Sequence, residues 1–197
     1  MRWLVVIGAL FCSQAGICQQ YKLSYKSENI PELYNEVEVI VEKLLPGGGA
    51  RIIKGGYTLK ANAGKIENNK LLKFDRSLLH RNAGIIHFTL TRDQLRHELV
   101  LTLPILKEIH FNLYADSVKP VLNYYLNIEG VFNNGKIYPL DTSHVIIRAN
   151  QGTVQGMEWV KPGKIDFESV RFEATYRYDS SIKAIAVAHL KKEYIEK

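Results

Sequence analysis

Six histidines, His80, His87, His97, His110, His144 and His189, are the side chains of this sequence best suited to binding a metal or moving a proton near neutrality. Their spacing favours neither task. No H-x-H or H-E-x-x-H occurs, and no histidine sits in a close run with carboxylates, so no metal site is expected. His87 falls on an outward strand position, and His97 lies between Arg96 and Glu98 in what reads as a loop. The glycine run Gly47–Gly49 continues into Ala50-Arg51 instead of Lys-Ser/Thr, so it makes a hairpin loop and not a phosphate cradle. Neither a G-x-S-x-G elbow nor a D-x-D-x-D-G calcium loop is present. Glu36 and Glu38 alternate with Val37 and Val39 and so belong to the wet side of a strand, where acid–base catalysis has no support. No catalytic residue and no cofactor is therefore expected. Aromatic residues offer binding surface instead. Of these, Trp159, in GMEWVKPG, reads as a loop-edge residue and is the candidate contact for a protein or carbohydrate partner, whereas Tyr176 and Tyr178 share a face with Phe172 and read as internal.

The elements that must position these residues announce themselves by repetition. YTLKANAGKIEN, from Tyr57 to Asn68, returns as VIIRANQGTVQG, from Val145 to Gly156, with Asn62/Asn150 and Gly64/Gly152 each 88 residues apart. Upstream, Pro31-x-Leu33 matches Pro120-x-Leu122, and Val37-x-Val39 matches Leu126-x-Ile128. Downstream, Gly84–Leu90 matches Ser169–Ala174 with Phe88 on Phe172, and Glu98–Leu106 lies over Lys183–Lys191. A period near ninety is too long for a solenoid and suits a small sandwich domain. Within each copy, apolar residues alternate with polar ones, as in Val37-Val39-Val41 and Ile86-Phe88-Leu90, which predicts half-buried antiparallel strands. About seven strands per copy and little helix are expected. Turns fall at Pro46–Gly49, Gly55-Gly56, Asn134-Gly135 and Pro162-Gly163, with Asn134-Gly135 a candidate type I′ hairpin. In the shared phrase, Asn and Gly read as strand-ending turn residues tolerant of positive φ.

Composition adds limits. The chain has 197 residues, 46% hydrophobic and 23% charged, enough for packed cores. A net charge of +6 comes from scattered Lys and Arg rather than a basic stripe, so nucleic acid is not an expected partner. Residues 1–18, MRWLVVIGALFCSQAGIC, have the order of a signal peptide: Arg2, an apolar run from Leu4 to Phe11, then small and polar residues. Cleavage fits after Ala15 or after Cys18, and bulky Ile17 opposes lipidation of Cys18, so a lipid-free chain beginning near Gln19 is expected. No later segment is apolar enough to span a bilayer as a helix. Both cysteines, Cys12 and Cys18, lie in this segment, which leaves the folded body without disulfides.

The order of strand, Ala-x-x-Gly-x-β-branched, Phe-centred strand and alternating last strand resembles tandem bacterial immunoglobulin-like domains of adhesins and envelope proteins. A fainter similarity, through Leu33-Tyr34-Asn35 before a Val-rich strand, is to the immunoglobulin-like domains of the periplasmic shaft protein of type IX secretion and gliding motility. The resemblance implies an all-β chain of two immunoglobulin-like sandwiches, residues 19–108 and 109–197, after the signal peptide. It implies binding or spacing in the envelope of a Gram-negative bacterium, periplasmic or at the surface, with a protein partner. A structural subunit of a secretion or motility machine and a carbohydrate-binding module are the alternatives. Leu106 to Glu108 read as a short stiff connection, which would make the pair a semi-rigid rod.

Overall fold

The computed structural model describes residues 20–113, 117–119 and 123–191; the signal-like segment, Pro120 and Leu122 lie outside the described residues. In the first half, β1 (Tyr21–Tyr25), β2 (Glu36–Leu44), β3 (Ala50–Ile52), β4 (Thr58–Ala61), β5 (Lys65–Glu67) and β6 (Leu71–Lys73) precede helix α1 (Arg76–Arg81). Then come β7 (Ile85–Arg92) and β8 (Leu95–Thr102). One sheet has the order β1-β2-β6-β5 with β3 added beside β2, and the other has β4-β7-β8. Apart from the added β3, the four strands β1-β2-β6-β5 against the three β4-β7-β8 follow the immunoglobulin constant-type order. The inward stripes of both sheets, including Val37, Val39, Val41, Ile86, Phe88 and Leu90, form one core. Each such side chain contributes about 1.5–3 kcal/mol on burial.

The second half contains β9 (Leu106–Phe111), β10 (Ser117–Val118), β11 (Tyr124–Tyr125), β12 (Ile128–Phe132), β13 (Ile137–Leu140) and β14 (Val145–Ala149). It ends with β15 (Thr153–Gln155), β16 (Glu158–Val160), β17 (Ser169–Tyr176) and β18 (Lys183–Leu190). Its pairings duplicate the first: Glu42 opposite Ile52 becomes Glu129 opposite Pro139, and Ile66 opposite Leu72 becomes Val154 opposite Trp159. Likewise Ile86 opposite Leu101 becomes Val170 opposite Ala188. The chain is thus all-β, two immunoglobulin-like sandwiches in tandem. The pairings adjust two of the sequence matches. Val37 corresponds to Tyr124, not Leu126, because these residues face Leu72 and Trp159. Leu99 corresponds to Ala186, which puts Glu98 over Ile185 and not Lys183. A period-two pattern reads the same after a slip of two residues, so only the ladder fixes the register.

The shared phrase works through side-chain chemistry. Asn62 donates its backbone N–H to the His87 carbonyl and accepts the His87 N–H on Oδ1, both at 3.0 Å. Asn150 does the same with Arg171, at 3.1 and 2.7 Å. Each Asn amide thus substitutes for one further rung of the ladder, and within Asn-x-Gly the positive φ belongs to Gly64 and Gly152, not to Asn62 or Asn150. The hairpin at Asn134-Gly135 also differs from expectation. The Gly135 N–H donates to the Phe132 carbonyl, the Phe132 N–H donates to the Lys136 carbonyl, and only Gly135 has positive φ. This is a three-residue loop with glycine in the left-handed position, not a type I′ turn.

Candidate functional site: the junction between the sandwiches

The predicted connection does not exist as a linker. Leu106 to Glu108 are the start of β9, and Leu106 is buried in the second core. Leu103 is buried in the first core, and Ile105 packs against it. The second sandwich grips Ile105 by its backbone: Asn133 donates its N–H to the Ile105 carbonyl at 3.0 Å, and Asn133 Oδ1 accepts the Ile105 N–H at 3.2 Å.

Around this point the segment 30–35 and α1 of the first sandwich meet the turn 133–136, the loop 141–144 and the end of β17. Arg76, 1% exposed, organises the first side. Its guanidinium donates to the Glu32 carbonyl (2.8 Å), the Tyr34 carbonyl (2.8 Å), the Pro31 carbonyl (3.1 Å) and Asn35 Oδ1 (2.8 Å). A planar fork of donors suits such a bundle of acceptors, and lysine could not replace it. The fork holds the segment so that the Glu32 carboxylate, 0% exposed, points across the junction. There Glu32 Oε1 accepts from Asn134 Nδ2 at 2.7 Å and pairs with Lys136 Nζ at 2.9 Å. Burial works to raise the Glu32 carboxyl, but Lys136, the residue's own backbone N–H and Asn134 together outweigh it and hold the group below its usual range.

A histidine crosses the junction in each direction. His144, 8% exposed, places Nε2 3.0 Å from the Leu33 carbonyl; a carbonyl only accepts, so Nε2 carries the hydrogen. Its Nδ1 lies 2.8 Å from Asp141 Oδ1. The Ser143 hydroxyl, then His144 and the Ser143 amide, hold Asp141 down to about 2 against its partial burial. From the other side, His80 on α1 tilts against Tyr176, with ring centroids 5.1 Å apart. Burial lowers His80 from its usual range and pushes the Tyr176 phenol up to about 12. Tyr178 lies edge-on to Tyr176 at 5.3 Å and receives the Arg76 guanidinium 5.9 Å from its ring. The Ser143 hydroxyl lies 3.0 Å from His144 Nδ1, but it also donates to Asp141 Oδ1. Nδ1 itself faces Asp141, and Nε2 is held by the Leu33 carbonyl, so the serine and histidine are tied into the turn. The arrangement locks two bodies together.

Trp159, expected as an exposed contact, is instead 0% exposed. It is the counterpart of Leu72, lies edge-on to Phe172 at 6.1 Å, and donates Nε1–H to the Gln151 carbonyl at 2.7 Å. A side chain in that position fills the core and offers no contact surface. Tyr176 is internal as read, Tyr178 is partly buried, and His87 is exposed. His97 lies on β8, not in a loop, with its ring 4.8 Å from that of Tyr21. Glu32, Arg76, His80 and His144 were not singled out in the sequence as partners, because their meeting joins residues up to 111 positions apart. Asp141-Thr-Ser-His144 was the one local cue, a side-chain-capped turn. Among the described residues no group of three or more His, Cys, Asp or Glu could hold a metal ion, and no helix is long and apolar enough to cross a membrane.

No protein-family model and no curated protein matches the chain. Among solved structures, it is similar to three N-terminal domains of the Highly Immunogenic Outer Capsid protein of bacteriophage RB49, at 13% identity and a TM-score of 0.41 over 86% of this chain and 58% of that one. It is similar to the N-terminal part of the bacterial S-layer protein SbsC at 11% identity and a TM-score of 0.37, over 88% of this chain and 44% of that one. The titin immunoglobulin tandem A164-A165 matches at 10% identity and a TM-score of 0.25, over 81% and 89%. The chain therefore spans less than two thirds of the first two. By its own strand pairings, this protein is a tandem of two immunoglobulin-like sandwiches.

Proposed function

We propose that the chain is an exported, non-catalytic spacer and binding module of a bacterial envelope, whose two sandwiches, divided between Ile105 and Leu106, are held at a fixed angle. The observation that carries this reading is the junction. Two small domains joined without a linker, clamped at the Ile105 backbone and closed by Glu32–Lys136 and His144–Leu33, have little hinge freedom. The loops that meet come from opposite ends of the two sandwiches, which favours an end-to-end particle. Export rests on the signal-like order of residues 1–18. The carbohydrate-binding alternative loses its contact residue with the burial of Trp159.

Small-angle scattering combined with residual dipolar couplings tests the spacer. One alignment tensor should fit both sandwiches, and the distance distribution should be that of an elongated particle. Two independent tensors, or a single-globule distribution, would overturn it.

A further inference from the structure

The second sandwich has an occupied mouth. At its junction end the inward stripe of β17, Val170-Phe172-Ala174-Tyr176, finishes in Tyr176, which the first sandwich covers with His80. By the ladders, Ala61 opposite Phe88 corresponds to Ala149 opposite Phe172, and Thr58 opposite Thr91 to Ile146 opposite Thr175, with Leu90 at the position of Ala174. One further alternation along β7 makes Arg92 the inward-stripe residue where β17 has Tyr176.

Among the described residues nothing covers the equivalent mouth of the first sandwich, and its inward stripes change character there. On β2 the buried series Val37, Val39, Val41 continues into exposed Lys43; on β7 the series Ile86, Phe88, Leu90 continues into Arg92. Two sheets thus point their core-facing stripes at one opening and finish each in a cation. Lys43 lies directly opposite Arg51 in the ladder, a like-charge pair that disfavours the strand pairing unless an anion joins it. Lys54 completes a groove of about 760 Å³. Among the described residues Lys43, Arg51 and Lys54 have no ion-pair partner, and Arg92 has only Asp93, at 3.6 Å and 86% exposed. The rim is apolar, with Leu45 45% and Ile52 56% exposed.

We propose that this cationic mouth of the first sandwich is the docking site for an acidic polypeptide loop of a partner protein. The occupied mouth shows what such an occupant looks like. The segment that closes it together with α1, SENIPELYNE from Ser27 to Glu36, carries Glu28, Glu32 and Glu36 and no Lys or Arg, with Pro31 and Leu33 among its apolar residues. Glu32 is the glutamate that reaches across to Lys136 and Asn134. An anionic membrane shares the charge, but the opening is concave. The neighbouring hairpin tip, Pro46 to Gly49, has no large apolar side chain to insert into a bilayer. The proposal deepens the spacer-and-binding reading by naming the chemistry of its partner, and it rests on that reading.

The test uses a fluorescein-labelled SENIPELYNE peptide with blocked ends, titrated with the full chain at low and high salt. Saturable, salt-sensitive binding is expected, lost when the three glutamates are replaced by glutamine. Lys43→Glu with Arg51→Glu should weaken it at least about tenfold. The same charge change at exposed Arg148→Glu with Arg171→Glu should alter it less than about twofold, and Lys43→Gln with Arg51→Gln serves if charge reversal prevents folding. No binding, or equal losses in the two charge-reversed pairs, overturns the proposal. So does a Lys43/Arg51-dependent preference for phosphatidylglycerol vesicles over the peptide. A flexible junction in scattering would sink the spacer while leaving this result standing; a rigid junction without peptide binding would sink the groove alone.

Discussion

Trp159 and Gly152 belong together. An added Cβ at Gly152, whose φ is +72°, would stand 2.5 Å from the Val160 carbonyl oxygen and 2.6 Å from Trp159 Nε1. Both conformation and space exclude a side chain, so Gly152→Ala is expected to destabilise the protein by more than about 1 kcal/mol, read as a lower urea midpoint. Gly64→Ala, at φ +131° and 2.4 Å from the Lys73 carbonyl oxygen, should behave alike. His80 gives a pH signature. Burial lowers its folded-state pKa, so the unfolded chain binds the proton more readily. Stability is then complete above the ordinary value of 6.5 and falls as pH drops through that value toward the folded one. Asp141, from 3.8 down to about 2, and Glu32, lowered from 4.5, add losses at still lower pH, since stability from a depressed carboxylate disappears as it is protonated. Urea midpoints should therefore drop between about pH 7 and 5 in the wild type and less in His80→Phe. Identical profiles would remove His80 from the account.

At the scale of elements, α1 has no counterpart helix among the described residues of the second half. Six residues are too few to show a helical period in the sequence, and tertiary contacts stabilise them. Asp75 caps the helix, its side chain accepting the Leu78 N–H at 2.9 Å. Asp75→Ala should cost about 1 kcal/mol and loosen the His80–Tyr176 contact, visible as broadening of the Tyr176 ring resonances. Sharp, unshifted resonances would separate the cap from the junction. The alternation of Val37-Val39-Val41 was legible because each strand has one wet face. The register was not, since sliding such a strand by two residues keeps its faces.

For the whole molecule, the junction predicts coupling. Lys136→Met leaves the Glu32 carboxylate buried with Asn134 alone, while Glu32→Gln with Lys136→Met removes both charges. A double-mutant cycle should return a coupling of about 1 kcal/mol, modest because Lys136 is 44% exposed. The single Lys136→Met variant should also broaden the range of angles between the sandwiches in scattering. An additive cycle with unchanged scattering would show that the Ile105 clamp suffices.

Sequence alone determined that the chain is all-β and doubled, because strand alternation and turn residues are local and a repeat compares the chain with itself. It placed the Asn-x-Gly phrase at strand ends but not the means, a side-chain amide extending the ladder. Only the tertiary structure decided that Trp159 is interior. An aromatic residue in a short segment flanked by turns reads the same in a core as at a rim until the opposite sheet is present. The structure also decided that Leu106 opens a strand and that Glu32, Arg76, His80 and His144 close a junction. Those contacts join residues about one module apart, and no local pattern records which loop will meet which.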